Sequence, residues 1–276
     1  ASALSGKGFP MNNLHRELAP VSEAAWAAIE EEATRALKRH LAARRVVDMV
    51  GPSGLGLSAV GTGHVEPVTP PAEGVQSVKR EVKALVELRV PFQLSRSAID
   101  DVERGALDSD WSPVKEAMRK IAHAEDRAVF DGYAAADIEG IRAAASNPAE
   151  PLPTNVKRYS DAVARAVGQL RLAGVEGPYA LVLGGDAYMA ASGGSDDGYP
   201  VFHHIERIAD GGIIWAPAIE GGLVLSLRGG DFELTVGQDF SIGYLNHSAT
   251  TVDLYVQESF TFRTLTTEAA VVLSPE

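Results

Sequence analysis

Histidines and paired carboxylates are the residues of this sequence that catalysis or metal binding would use first. None of the seven histidines falls in an HExxH or similar ligand spacing. His203 and His204 are adjacent, so their rings point to different faces of a helix or strand and do not share a metal. The aspartate pairs at 100–101 and 196–197 are also sequence neighbours whose carboxyl groups diverge. Neither pair has the facing geometry that acid–base catalysis requires.

Other catalytic patterns are also missing from the sequence. Cysteine is absent, which excludes disulfides, thiolate metal sites and a cysteine nucleophile. No GxSxG elbow, Walker loop or GxGxxG follows a strand pattern. We therefore predict no catalytic residue, no metal site and no enzymatic activity.

Composition limits the partners that this chain can have. The net charge of −12 argues against nucleic acid, because phosphate binding needs an excess of Lys and Arg on one face. No apolar run approaches the roughly 18–20 residues of a membrane-spanning helix, so we expect no membrane partner. The absence of cysteine suits a reducing compartment, and we expect a cytoplasmic location. The chain, at 276 residues and 45% apolar, can form one large domain or two ordinary ones.

The clearest predicted element is a helix from Glu23 to about Arg45. Ser22 is its predicted N-cap. Acidic residues crowd its first turns and basic residues its last, which complements the helix dipole. Apolar residues recur at spacings of three and four and form one stripe: Trp26, Ile29, Ala33, Leu37 and Leu41. Core packing and partner binding both remain open for this stripe.

The segment after this helix indicates self-association. Residues 51–74 are rich in Gly and Pro, and we predict a long loop that is functional or reaches a neighbouring subunit. From Val86 to Leu94 apolar and polar residues alternate, which predicts a strand with one apolar face. Pro91 places this strand at an edge or bend. An exposed edge promotes aggregation unless a partner covers it, so the pattern indicates assembly.

The rest of the chain mixes helices and strands, which indicates an α+β protein. Further helices are predicted at 112–133, 137–145, 160–172 and 203–208, and a buried strand at 179–183. Residues 184–185 and 192–198 read as turn-rich loops. The last third alternates Gly-rich turns with strands, which are predicted at 213–215, 223–227, 232–236, 252–262 and 271–273.

Read together, several motifs resemble the family 1 encapsulins, bacterial shell proteins with the HK97 phage-capsid fold, and most of all their linocin-like actinobacterial branch. The resemblance covers the chain from Met11 onward. The motifs that carry it, in order, are 11–14 (MNNL), 18–20 (LAP), 51–52 (GP), 99–105 (IDDVERG), 125–126 (ED), 139–141 (EGI), 177–179 (GPY), 228–232 (RGGDF) and 241–244 (SIGY).

The resemblance implies an HK97-type fold with P-domain, A-domain and extended E-loop. Residues 1–10 are expected to be an extension or a cloning remnant, with Met11 as the native start. The implied segments are the N-terminal helix and start of the P-domain at 11–50, the E-loop at 51–95, the P-domain with its spine helix at 96–150, the A-domain at 151–227, and the P-domain return strands at 228–276.

Two sites follow from the resemblance alone. A groove for the C-terminal targeting peptide of a cargo protein would use Leu37, Leu41, Arg44, Asp48, Phe240, Ile242 and Tyr244. A pore at the five-fold axis would be lined by Ser192, Gly193, Gly194, Ser195, Asp196, Asp197 and Gly198.

The resemblance also implies the partners. We expect a homo-oligomer of sixty copies in the simplest icosahedral shell, enclosing a dye-decolorising peroxidase or a ferritin-like protein. Assembly in the cytoplasm is compatible with later release from cells. Some encapsulins bind flavin beside a Trp, but the matching segment at 95–98 has no aromatic residue, so we expect no cofactor. The competing hypotheses are a phage major capsid protein, which the acidic charge disfavours, and a bacteriocin or peptidase.

Overall fold

The computed structural model describes residues 13–196 and 198–276, in which helices and strands alternate along the chain. The helices are α1 (Glu23–His40), α2 (Arg96–Glu103), α3 (Ser112–Phe130), α4 (Ile141–Ala144), α5 (Tyr159–Leu172), α6 (Gly185–Gly193) and α7 (Val201–Glu206). The predicted α+β class is confirmed. The calls on 1–10, Met11 and Asp197 lie outside the described residues.

The strands complete the α+β composition. They are β1 (Asp48–Val50), β2 (Ala59–Pro67), β3 (Val78–Ala84), β4 (Val86–Ser95), β5 (Glu150–Leu152), β6 (Tyr179–Leu183), β7 (Ser195–Asp196), β8 (Tyr199–Pro200), β9 (Ile213–Trp215), β10 (Gly222–Ser226), β11 (Phe232–Val236), β12 (Ser241–His247), β13 (Thr251–Thr264) and β14 (Ala270–Pro275). Short 3₁₀ turns connect several of these elements.

The described residues form two compact units. The first comprises 13–39, 88–121 and 239–258. The second comprises 40–87, 122–238 apart from residue 197, and 259–276. The segment boundaries that the resemblance implies stay a prediction.

The first unit packs α1 against strands through the predicted apolar stripe. The Ser22 hydroxyl accepts a hydrogen bond from the Ala25 N–H at 3.2 Å, as an N-cap does. β12 pairs antiparallel with β13, which places Ile242 opposite Val256. The core of this unit consists of apolar residues from α1, β4, α2, α3, β12 and β13: Ala25, Ile29, Ala33, Ala36, Phe92, Leu94, Ile99, Val114, Ala117, Met118, Ile121, Ile242, Val252, Leu254 and Val256.

The second unit is built on a sheet with the order β5-β14-β10-β6-β9. β6 is buried along its whole length, as its continuous apolar sequence predicts, and it runs antiparallel to β10 and parallel to β9. α5 packs on this sheet through its apolar face. In the same unit β11 pairs with β1 and with residues 260–264 of β13.

Several predicted elements differ from the structure. α1 ends at His40 and not near Arg45, because the N–H groups of Ala42 and Ala43 donate to the Asp126 carboxylate and not to helical carbonyls. The predicted loop at 51–74 contains β2, which forms a hairpin with β3. The predicted helix at 137–145 is reduced to α4, because Asp137 has a left-handed φ of 53° that interrupts a helix.

Candidate functional site

Three of the residues predicted for the cargo groove surround one open cavity in the first unit. Leu37 lies on α1, Phe240 comes directly before β12, and Ile242 lies within β12. The cavity holds about 300 Å³. Its remaining walls come from the segment before α1, from α1 and α3, and from β12 and β13: Leu14, Arg16, Glu30, Ala33, Thr34, Met118, Ser241 and Val256.

The walls of this cavity combine apolar side chains with four polar ones, which are Arg16, Glu30, Thr34 and Ser241. Leu37 and Phe240 are half-buried, whereas Ile242 is 6% exposed and packs in the core beneath. Arg16 stacks on the ring of Trp26 at 4.0 Å and pairs with Glu30 at 2.7 Å. An apolar floor with a few oriented polar groups is the arrangement that binds a short peptide through its side chains.

Tyr244 lies on the same strand but has local partners. Its hydroxyl is 2.6 Å from Nδ1 of His247, and its N–H donates to the carbonyl of Leu14 at 2.8 Å. Its ring packs against the core cluster of the first unit. Among the described residues, the cavity wall does not include Tyr244.

Sequence reasoning missed most of the other wall residues. Val256 could have been found, because it shares the apolar face of the predicted strand at 252–262. Leu14, Arg16 and Thr34 gave no such signal. They are polar or isolated in the sequence, and only the packing of α1 on β12 brings them together.

The remaining groove predictions, Leu41, Arg44 and Asp48, belong to the second unit. Leu41 is half-buried directly after α1. The Arg44 guanidinium donates through Nε and Nη2 to the fully buried Glu125 carboxylate, at 2.6–3.0 Å. Asp48 accepts a hydrogen bond from the Gly230 N–H at 2.5 Å. Arg44 and Asp48 therefore already hold the backbone of this unit in place.

Asp126 explains why α1 stops where it does. Its buried carboxylate accepts hydrogen bonds from the N–H groups of Ala42 and Ala43 at 2.9–3.1 Å, so these donors need no helical carbonyl. Burial raises the pKa of Asp126 to about 7, and Glu125 adds to this rise. The N–H groups and Arg44 act in the opposite direction.

The predicted pore segment is not the loop that its composition indicates. Ser192 and Gly193 form the last residues of α6, and the Ser192 hydroxyl donates to the Tyr188 carbonyl at 2.9 Å. Gly194 packs against Val156, with no room for a side chain. Ser195 and Asp196 pair with β8, and Asp196 also lies 3.2 Å from Lys157. Gly198 completes the exposed turn with φ 85°.

The described residues contain no cluster of three or more His, Asp or Glu side chains that could bind a metal ion. Nor does this part of the chain include a helix long and apolar enough to cross a membrane. The segment at 95–98, where a flavin-binding aromatic would lie, begins α2, and its Ser95 hydroxyl accepts a hydrogen bond from the Ala98 N–H at 3.1 Å.

Comparison with known proteins identifies the family. Residues 11–261 match the Linocin_M18 family, described as "Encapsulating protein for peroxidase". A type 1 encapsulin shell protein of Rhodococcus erythropolis is 58% identical over 264 residues, which cover 96% of this chain and 100% of that protein. The chain belongs to the type 1 encapsulins. A second encapsulin shell protein, from Mycobacterium tuberculosis, is 56% identical over the same shares of both chains.

Solved structures support the encapsulin fold. A virus-like particle protein from Pyrococcus furiosus superposes with a TM-score of 0.62 at 17% identity, over 90% of this chain and 98% of that chain. A chain from a structure of Microbacterium phage Oxtober96 gives a TM-score of 0.56 at 14% identity, over 86% of this chain and 91% of that chain. At these identities the similarity shows the fold alone. The predicted HK97-type capsid fold is confirmed.

Proposed function

We propose that this encapsulin is a structural subunit whose copies assemble into an icosahedral compartment around a cargo enzyme. The observation that carries the proposal is 58% identity over the full length of a type 1 encapsulin shell protein. The simplest such shell has sixty copies and assembles in the cytoplasm, from which it can later be released. The role is structural and not enzymatic.

The hairpin of β2 and β3 supports contact between copies. Val65, Val78 and Val82 lie on one face of the hairpin and are 52–60% exposed. Arg80, which pairs with Val65, lies on the same face, whereas the opposite face carries Lys79 and Glu66, paired at 2.8 Å. Exposing these valine side chains to water is unfavourable. A neighbouring subunit that covers this face of the hairpin would remove the cost.

The cavity beside Leu37, Phe240 and Ile242 supports cargo binding. We assign it to the C-terminal targeting peptide of a dye-decolorising peroxidase, in line with the family description, and a ferritin-like protein is the alternative cargo. Alternate apolar side chains of the peptide would fill the cavity while backbone groups fix its register. Leu41, Arg44, Asp48 and Tyr244 stay predicted peptide contacts outside this cavity.

The end of α6 and the exposed residues that follow it are the proposed pore lining. We assign Ser192–Gly198, including Asp197, to the lining of the five-fold opening. The described part of this segment is small and polar, so it suits the passage of water and small polar molecules. The compartment would then act by controlling which substrates reach the cargo.

Assembly is tested by substituting the valine face of the hairpin. Val82→Lys places a charge on this face and is expected to leave subunits or small oligomers in native mass spectrometry and negative-stain images. Glu81→Lys introduces the same side chain on the opposite face and is the matched control, expected to form closed shells. Closed shells of Val82→Lys would contradict the proposed interface. Nuclease-sensitive nucleic acid inside the particles would instead favour the phage-capsid hypothesis.

Cargo binding is tested by filling the cavity without disturbing the core. Thr34 is exposed and lines the cavity, so Thr34→Trp is expected to block the peptide while shells still form. Ala27→Trp adds the same ring to an exposed part of α1 and is the matched control. Co-purification with the candidate peroxidase should fall at least tenfold for Thr34→Trp only. Equal cargo loading of both variants would contradict the proposed groove.

A further inference from the structure

A second and larger cavity lies entirely within the second unit. It holds about 580 Å³ between the start of α6, the segment 217–221 and the ends of β5 and β14. The residues that line it are Leu152, Pro153, Thr154, Tyr159, Gly184, Gly185, Asp186, Ala187, Ala190, Pro217, Ile219, Glu220, Gly221, Pro275 and Glu276. A cavity of this size admits a two-ring organic molecule.

Tyr159 contributes a hydroxyl group to this cavity. Its side chain lines the cavity and is 6% exposed. Within the part of the chain that the structure describes, its hydroxyl has no hydrogen-bond partner, and burial raises the pKa of this hydroxyl. This hydroxyl is not sealed from solvent, so it can form a hydrogen bond with a ligand in the cavity.

The charges around the cavity select the sign of the ligand. Asp186, Glu220 and Glu276 all line it, whereas the described lining residues include no Lys, Arg or His. The first N–H groups of α6, which begins after Gly184 without a side-chain cap, attract anions with about half a charge. Three carboxylates outweigh that effect, so the cavity favours a cation.

The inner walls leave room for an apolar body. A Cβ placed on Gly185 would meet only Nε1 of Trp215, at 4.0 Å, so the start of α6 does not fill this space. Leu152, Ala187 and Ile219 provide buried apolar surface around it. A ligand with a flat apolar body and one polar end therefore matches both regions of the cavity.

We propose that this cavity is a binding site for a small organic ammonium ion with an apolar body, whose charged end lies between Tyr159 and the carboxylates of Asp186, Glu220 and Glu276. The ammonium group would donate a hydrogen bond to the Tyr159 hydroxyl oxygen. The site shares no residue with the proposed peptide groove, so neither proposal depends on the other.

The sign of the charge is tested with three probes of the same shape. Isothermal titration calorimetry on the purified full-length protein would compare 1-naphthylmethylammonium, 1-naphthylmethanol and 1-naphthoate. We expect the ammonium to bind about tenfold more tightly than the alcohol, and the carboxylate to bind most weakly. Equal affinities, tightest binding of the carboxylate, or no binding of the ammonium at roughly millimolar concentration would overturn the proposal.

The location of the site is tested with conservative variants. Tyr159→Phe keeps the ring and removes the hydroxyl, and it should weaken ammonium binding about fivefold. Glu220→Gln should weaken the ammonium and leave the alcohol unchanged. Asp161→Asn removes an exposed charge from α5, the helix of Tyr159, at a position outside the cavity. It should change the affinity of neither the ammonium nor the alcohol. Unchanged ammonium affinity in both Tyr159→Phe and Glu220→Gln would place the probe elsewhere and refute the site.

Discussion

The cavity wall around Leu37 and the turn around Arg44 were predicted as parts of one site, and they have opposite physical characters. Leu37 and Phe240 are half-buried apolar side chains beside about 300 Å³ of open space. Arg44 and the N–H groups of Ala42 and Ala43 have their hydrogen bonds satisfied by Glu125 and Asp126. Open apolar surface indicates a partner, whereas polar groups satisfied within one unit indicate a structural role.

The strongest test of this difference is removal of the Glu125 carboxylate. Glu125→Ala leaves the Arg44 guanidinium, which is 15% exposed, without its bidentate partner. We expect a loss of about 3–5 kcal/mol in the free energy of unfolding, measured by denaturant titration. Glu116→Ala breaks an exposed pair with Arg119 at 2.7 Å and is the control, with a much smaller expected loss because solvent screens the pair. Similar losses for both variants would show that Arg44 does not depend on its partner.

Asp126 makes a pH-dependent contribution at the same turn. Its pKa is about 7 in the folded protein and near 3.8 in the unfolded chain, so the folded state holds the proton more tightly. The stabilising contribution is therefore complete below about pH 4 and is lost as pH rises to about 7, by up to about 4 kcal/mol.

Asp126→Asn tests this pH dependence while keeping an oxygen that accepts from Ala42 and Ala43. The variant should be less sensitive to pH between 4 and 7, as measured by the thermal unfolding midpoint. The same pH dependence in Asp126→Asn and in the parent protein would rule out Asp126 as its source.

The apolar wall should affect binding more than stability. Leu37→Ala removes a half-buried side chain, and we expect it to lower the free energy of unfolding by about 1 kcal/mol. Ile29→Ala, at a fully buried position of the same helix, should lower it by about 2–5 kcal/mol. Cargo loading should fall for Leu37→Ala and stay intact for Ile29→Ala shells. A larger loss of stability in Leu37→Ala than in Ile29→Ala, or a larger loss of cargo in Ile29→Ala than in Leu37→Ala, would contradict the distinction between wall and core.

The smallest effect is expected at Asp48. Asp48→Ala removes the acceptor of the Gly230 N–H at an exposed position, where water can replace it, so the free energy of unfolding should fall by about 0.5 kcal/mol. Asp48→Asn keeps an acceptor oxygen and is the control. A loss of cargo with unchanged stability in Asp48→Ala would instead assign this side chain to the groove.

Several elements followed from the sequence because their signals are local. The N-cap of α1, the buried strand β6 and the strands at 213–215 and 232–236 lie where periodicity and turn residues place them. The ordered set of motifs also indicated the family and its capsid fold. Of the predicted groove, Leu37, Phe240 and Ile242 line one cavity.

Other features depended on contacts between residues that are distant in the sequence. The end of α1 is set by Asp126, which lies 84 residues after Ala42, and no helix-stop residue marks it locally. The hairpin of β2 and β3 was missed because its valines face outward and its glycines weaken the strand pattern.

The sequence by itself indicated the long helices α1, α3 and α5, the buried strand β6 and the family, because periodicity, capping and motif order act within short stretches of chain. Only the tertiary structure decided which polar groups are already satisfied and where open space remains. Arg44 is an example, because its partner Glu125 lies on α3. Tyr159 is another, because the cavity that it lines is completed by residues of α6 and β14. Burial and hydrogen-bond satisfaction are properties of packing, and the local pattern does not contain them.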